Sequence, residues 1–310
     1  MENGNPERVG VLIMAYGTPD RVEDVEAYYT HIRRGRKPTP EQLATLLARY
    51  ERVDGITPLR AITFAQAEAI GQALAARGID AAITVGMKHW HPYVAEAVRA
   101  MAADGIERAV GFVLAPHYSR MSVGQYIDYA EAERAASAPG MAIRYVERWG
   151  MNEALLGALA GRVREAIGGW DPARTRVIFT AHSLPERIRT WDDPYEREVA
   201  ATAAAVARRL ELPQWEVAWQ SAGATPEPWI GPDLPAAIRQ AAQTGECDQV
   251  LVCPAGFTAD HLEILYDLDI EASQASADLG LGFRRTRSLN ADTGLVEAAC
   301  SEVIAALGAL

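Results

Sequence analysis

"VIFTAHSLP", residues 177–185, and "VLIMAYGTP", residues 11–19, read as two versions of one device. Each is an unbroken apolar run that ends in alanine. A chemically active ring follows, His182 in one and Tyr16 in the other, and a proline stands three positions further on. A short apolar run without alternation fits a strand covered on both faces, as in a parallel sheet. "FVLAPHYS" (112–119) is echoed in the same way by "LVCPAGFT" (251–258).

Further runs of the same kind are "VGVLIMAYG" (9–17), "AAITVGMKH" (81–89), "RAVGFVLAPHYS" (108–119), "MAIRYVERW" (141–149), "TRVIFTAHS" (175–183), "WEVAWQSAG" (215–223) and "QVLVCPAGF" (249–257). Ala-rich, helix-patterned stretches separate them at 61–77, 92–104, 122–138, 151–168, 194–210 and 233–244. Strands alternating with helices predict an α/β fold with parallel sheets. The repetition predicts two similar Rossmann-like domains, 1–150 and 151–310, each a small parallel sheet flanked by helices. The C-terminal helix is free to pack back on the first. Ligands of such folds bind at the carboxyl ends of the strands, here in a cleft between the halves. Tyr16, His89, His117, His182 and the helix after Gly256 all fall at such ends.

The chain has 310 residues, 49% of them apolar, which is ample for two cores. No apolar stretch approaches the roughly 18 residues of a membrane helix. The first residues are polar and run into a strand, unlike a signal peptide. Cys247, Cys253 and Cys300 are too few and too scattered for a disulfide framework, so a reducing cytoplasm is expected. Thirty basic against 41 acidic residues give a net charge of −11, which argues against nucleic acid and anionic membranes as partners. Basic charge is concentrated in "HIRRGRKP" (31–38), either a solvated loop or a site for carboxylates and phosphates, which arginine forks match.

Several chemistries lack their motifs: there is no G-x-G-x-x-G, P-loop, G-x-S-x-G, H-E-x-x-H or C-x-x-C. Two features remain. His182 at a strand mouth is either a structural residue or a proton acceptor and ligand for divalent metals. In "GFTADHLEILYDLDIEA" (256–272), Glu263, Asp267 and Glu271 recur at a spacing of four. On an α-helix that makes one stripe, drifting about 40° per step over about 12 Å. Asp260 as N-cap with Glu263 three residues on would explain Glu263 alone. Like charges at this spacing cost helix stability, so the row points to oxygen ligands or a proton path, with a solvated acidic face as the alternative. Tyr50 and Tyr126 are either packing aromatics or a ring and hydroxyl for a flat ligand.

"MAYGTP", "YYTHIRRGRKP", "GITPL", "GMKHWHP", "LAPHYS", "AHSLPERI", "WQSAGATPEPWIGPD" and "GFTADHLEILYDLDIE" together closely resemble the ferrochelatases, in family order from about residue 9 to 290. They look most like the monomeric, water-soluble bacterial branch that uses coproporphyrin III. The resemblance implies insertion of Fe²⁺, as a substrate, into a tetrapyrrole between the two domains. It implies that His182 and Glu263 face the macrocycle and bind the metal, and that Asp267 and Glu271 lead outward as a metal or proton path. Tyr16 would lie on the other face and ligate the iron of the product. Arg33, Arg49, Tyr50, Thr57 and Tyr126 match the family's porphyrin contacts, with Thr57 standing where serine is common. No tightly bound cofactor and no iron–sulfur cluster is implied, since the cysteine-bearing extension of some relatives is missing. Transient partners for product hand-off, and neither nucleic acid nor membrane, complete the expectation.

Two opposed forces act on His182: a nearby Glu263 raises its proton affinity and burial lowers it, and the sequence leaves open which prevails. Alternatives are a chelatase for protoporphyrin IX or another tetrapyrrole, and a non-catalytic haem-binding carrier.

Overall fold

Residues 8–223 and 225–309 are described by the computed structural model; Ala224, inside "WQSAGATPEPWIGPD", lies outside them. The chain forms two units. Among the described residues one comprises 8–115, 122–149 and 290–309, and the other 116–121, 150–223 and 225–289.

The first unit is a parallel sheet of β1 (Val9–Ala15), β2 (Ala81–Met87), β3 (Arg108–Val113) and β4 (Ala142–Val146), in the order β2-β1-β3-β4. Its helices are α1 (Val25–Ile32), α2 (Pro40–Arg52), α3 (Leu59–Ala75), α4 (Val94–Ala103) and α5 (Val123–Ser137). Val11, Leu12, Ile13 and Met14 of β1 are fully buried, as a central strand between two helical layers requires. α2 starts on a capping box in "TPEQ": the Thr39 hydroxyl accepts from the Gln42 N–H, and the Gln42 side chain accepts from the Thr39 N–H. The helix at Thr293–Leu307 belongs to this unit. It packs on α3, β3 and β4, and the Gln66 amide donates to the Asn290 carbonyl at 3.0 Å.

The second unit repeats the plan with β5 (Thr175–His182), β6 (Trp215–Gln220), β7 (Gln249–Cys253) and β8 (Gly282–Arg285), in the order β6-β5-β7-β8. All pairings in both sheets are parallel, with registers such as Ile178 opposite Val252 and Ala181 opposite Trp219. α6 (Glu153–Ile167), α7 (Tyr195–Leu210) and α8 (Leu234–Thr244) flank the sheet. Val177, Ile178 and Phe179 are essentially unexposed, and each such side chain contributes about 1.5–3 kcal/mol of burial. β8, "GFRR", is the one strand with no apolar run to announce it; it is short, lies at the sheet edge and carries two arginines.

In both sheets the strand order reverses beside the first strand of the unit, between β1 and β3 and between β5 and β7. Such a switch point opens a crevice at the strands' carboxyl ends. Tyr16 leaves β1 there, and His182 ends β5 there.

Candidate functional site

His182 is the last residue of β5 and is half-buried. The Nδ1–H donates to the carbonyl of Ser183, which leaves Nε2 as the working nitrogen. Nε2 lies 3.5 Å from Oε1 of Glu263. The backbone beneath is fixed too, since the Tyr195 hydroxyl donates to the His182 carbonyl at 2.9 Å. The indole of Trp229 stands 6.4 Å from the imidazole, ring centre to ring centre.

Glu263 reaches this place through a tight turn after β7. The Gly256 N–H donates to the Thr180 carbonyl at 3.0 Å, and a Cβ there would fall 2.5 Å from that of Ala181. Only glycine lets this turn lie on β5. The short helix α9 (Leu262–Leu265) then begins at His261, not at Asp260. The His261 Nδ1 accepts from the Glu263 N–H at 3.2 Å and acts as the N-cap. Asp260 is engaged elsewhere, accepting from Arg285 at 3.2 Å and from the Ser288 hydroxyl at 2.7 Å. The expected Asp260 capping box therefore does not form.

The helix also changes pitch. Asp267–Ala272 is a π-helix, in which the Tyr266 carbonyl accepts from the Glu271 N–H at 3.0 Å, before α10 (Ser273–Asp278) resumes. The single α stripe is thus corrected: an α turn carries Glu263 to Asp267, and a wider turn carries Asp267 to Glu271. A wider turn rotates four residues by less than a full circle, where the α turn rotates them by more, so Glu271 swings back toward the line of Glu263. Exposure rises along the row: Glu263 and Asp267 are half-buried and Glu271 is exposed. Among the described residues no three His, Cys, Asp or Glu side chains converge into a cage for a metal ion. The arrangement is a pair followed by a trail.

The pair's protonation is set by competition. Burial alone would lower the proton affinity of His182. It is outweighed by the charge and hydrogen bond of Glu263, the Ser183 carbonyl and the charge of Asp267, and the imidazole rises to about 9. Burial likewise would raise Glu263, but the charge and hydrogen bond of His182, together with His261 and a hydrogen bond from Ser221, outweigh it and the carboxyl falls well below its ordinary range. At neutral pH the resting pair is imidazolium and carboxylate. Burial pushes His261 down, so it stays neutral and keeps Nδ1 as an acceptor for the cap.

Two residues at the exit of β6 hold this assembly, and the sequence reading passed over both. Gln220 accepts the Ser183 N–H on its carbonyl at 2.7 Å and donates its amide to the Glu263 carbonyl at 3.3 Å. The Ser221 hydroxyl donates to the Asp267 carboxylate at 2.6 Å. The available signal was a polar pair, Gln-Ser, closing an apolar strand.

In the first unit Tyr16 follows β1 with 43% of its surface exposed. Its ring lies 4.6 Å from that of His89, whose Nδ1 is 3.1 Å from the Nδ1 of His31. Tyr126, on α5, is buried close enough to Tyr16 to feel its charge, and burial first, then Tyr16, holds its phenol protonated. The Lys88 ammonium sits 5.1 Å from the centre of the Tyr126 ring, a cation–π contact. Burial, then Arg34, lowers this lysine to about 8. Its signal in the sequence was rarity, since the chain has only two lysines. Arg33 closes α1, its guanidinium donating to the Arg36 carbonyl at 3.2 Å. Arg49 and Tyr50 lie in the last turn of α2, and Thr57 is buried just before α3.

The ferrochelatase family model matches residues 8–307. A coproporphyrin III ferrochelatase of Anoxybacillus flavithermus is 42% identical over 301 residues, 96% of this chain and 95% of the relative. A ferrochelatase of Thermus thermophilus is 43% identical over 310 residues, covering 93% of this chain and 96% of its own. Among solved structures, the sirohydrochlorin chelatase SirB from Bacillus subtilis subspecies spizizenii, in complex with cobalt, matches with a TM-score of 0.59 at 12% identity, over 96% of this chain and 94% of that one. At that identity the likeness speaks for the two-unit chelatase fold alone. With a family match over nearly the whole chain and two close full-length relatives, the chain belongs to the ferrochelatase family, enzymes that insert ferrous iron into porphyrins.

Proposed function

We propose that this enzyme inserts Fe²⁺ into coproporphyrin III, forming coprohaem and releasing two protons. The observation that carries the chemistry is the His182–Glu263 pair with its acidic trail. Relatives named as coproporphyrin III ferrochelatases support the choice of ring. We further place the reaction in the cytoplasm, by a monomer. Three free, buried cysteines favour a reducing compartment, and among the described residues no helix is long and apolar enough to cross a membrane.

Charge balance orders the steps. Fe²⁺ enters as two pyrrole N–H protons leave, so the net charge in the site is conserved. The resting imidazolium cannot take a proton or offer Nε2 to a metal. It must first give up its own proton, and conduction outward along Asp267 and Glu271 is supported by the rising exposure of the row. Neutral His182, held by the Ser183 carbonyl, then presents Nε2 as acceptor for one pyrrole proton and the Glu263 carboxylate accepts the other, both passing outward along the row, while the carboxylates compensate the cation's charge as it sheds water. Arg33 and Arg49 grip the ring's carboxylates, with charge-assisted bonds of roughly 1.5–3 kcal/mol each, and Tyr50, Thr57 and Tyr126 pack and hydrogen-bond its rim. Tyr16 ligates the iron of the product. Product hand-off proceeds through transient partners.

The test is anaerobic mixing of the protein with coproporphyrin III and Fe²⁺, following loss of free-base fluorescence. Rapid loss in wild type, and none in His182→Ala that still binds the ring, is the expected result. Faster consumption of protoporphyrin IX would reassign the substrate, and binding of haem without consumption of free base would make the protein a carrier.

A further inference from the structure

Ser221 has a positive φ of 56°. The other non-glycine residues with positive φ have ordinary reasons for it. Arg34, Asp54, Asp192 and Glu211 close or follow helices, where the left-handed conformation is a common terminator, and Asn290 is a residue type that tolerates it. Ser221 instead follows a strand, at the mouth of the second sheet, where glycine would be the relaxed choice. The conformation turns its hydroxyl onto the Asp267 carboxylate at 2.6 Å. Gln220, one residue earlier, grips the carbonyl of Glu263, and its own side-chain oxygen accepts from the Thr180 hydroxyl. Two consecutive residues thus hold two successive members of the acidic row, Glu263 by its backbone and Asp267 by its charge, with the Ser221 side chain also within hydrogen-bond reach of the Glu263 carboxylate.

We infer that Ser221 is a positioning residue of the metal path, kept in a strained backbone conformation so that its hydroxyl fixes the Asp267 carboxylate between the exposed end of the row and the His182–Glu263 pair. Strain of this kind persists where the surroundings over-determine it, and a hydrogen bond that aims a carboxylate is such a reason. The hydroxyl also occupies one acceptor site of the Asp267 Oδ2 oxygen, which fixes the orientation of the carboxylate and leaves its remaining sites for a cation. Ser221 takes no proton and forms no bond to the ring. The inference rests on the reading of Asp267 as part of the iron path.

The experiment compares wild type with Ser221→Gly, Ser221→Asn and Asp267→Asn. Each is assayed by thermal melting, by Co²⁺ binding to the porphyrin-free protein, and by kcat and KM for Fe²⁺. Glycine removes both strain and hydroxyl, so Ser221→Gly should melt at or a few degrees above wild type. It should bind Co²⁺ about tenfold more weakly and raise KM for Fe²⁺ by a similar factor, the weight of one hydrogen bond to a charged group, with kcat within about twofold. Asparagine tolerates the conformation and keeps a donor, so Ser221→Asn should recover part of the loss. Wild-type Co²⁺ affinity and KM in Ser221→Gly would overturn the inference, as would a loss of affinity matched by a fall in melting temperature. If wild type binds no Co²⁺ and Asp267→Asn leaves KM unchanged, the metal path itself fails, and this inference with it.

Discussion

Nε2 of His182 lies 3.5 Å from Oε1 of Glu263 while its Nδ1–H is committed to the Ser183 carbonyl. The imidazole thus has one nitrogen fixed and one available, and the available one faces a carboxylate. That arrangement stores a proton between the two groups. On the proposed mechanism this proton must leave before the imidazole can act on a porphyrin, with the acidic row as its exit.

Glu263→Gln removes the charge that holds the imidazolium. With only the Ser183 carbonyl and the Asp267 charge left to oppose burial, the His182 proton affinity should drop well below its wild-type value of about 9. Imidazole ¹⁵N chemical shifts followed across pH would show it. Iron insertion should fall by about 100-fold or more, the usual contribution of a positioned acid–base group. A His182 titration that does not move in the variant would mean that Glu263 does not set its protonation.

The same pair shapes stability against pH. His182 is raised above its unfolded value, so its contribution is complete below about 6.5 and is lost as pH rises through about 9. Glu263 is depressed, so its contribution is present above its unfolded value and is lost only in strong acid. The stability gap between wild type and Glu263→Gln should therefore be widest near pH 6 and shrink by pH 10. Urea unfolding at the two pH values measures it; an equal gap at both would show that the ion pair does not contribute to folding.

Tyr16→Phe keeps the ring contact with His89 and removes one hydroxyl from a residue with 43% of its surface exposed. Stability should stay within about 0.5 kcal/mol of wild type. The absorption spectrum of bound product should change, because the proposed oxygen ligand is gone. An unaltered spectrum would remove Tyr16 from the iron.

Much of this was legible in the sequence, for physical reasons. Seven strands were announced by apolar-rich runs: central strands such as β1 and β5, buried on both faces, have no room for alternation, while the edge strand β4, Ala142–Val146, showed itself by alternating apolar residues. β8 was not, since an edge strand of four residues carrying Arg284 and Arg285 has no such signature. The row Glu263, Asp267, Glu271 was visible, but its π turn was not: a spacing of four fits a narrow turn and a wide one equally well. Asp260 had the right side chain for an N-cap and lost the role to His261, because Arg285 and Ser288, far along the chain, took its oxygen. The charge state of His182 depended on a distance, and only coordinates supply distances.

Glu271 is the exposed end of the row, and its loss should touch only delivery. Glu271→Ala should raise the apparent KM for Fe²⁺ a few-fold, leave that for the porphyrin unchanged, and blunt the salt dependence of iron uptake, since attraction by an exposed charge is screened within about a Debye length. Equal changes in both constants would point to a distorted site and away from a path.

Arg285 holds the acidic segment at both ends. Its guanidinium meets Asp269 of the π turn in two bonds, 2.6 and 2.8 Å, and reaches Asp260 ahead of α9 at 3.2 Å. A planar fork makes all three contacts at once, and lysine offers a single point charge. Arg285→Lys should therefore cost about 1–3 kcal/mol, as a half-buried aspartate loses a charge-assisted partner and the turn loses its clamp. The activity readout separates fold from function. If the π turn aims the row, the variant's KM for Fe²⁺ should rise while porphyrin binding, proposed to use Arg33, Arg49, Tyr50, Thr57 and Tyr126, stays put. A variant that melts early yet takes up iron with wild-type KM would show that the wide turn keeps its shape without the clamp, and that the Tyr266 carbonyl, accepting from both Ile270 and Glu271, is enough to hold it.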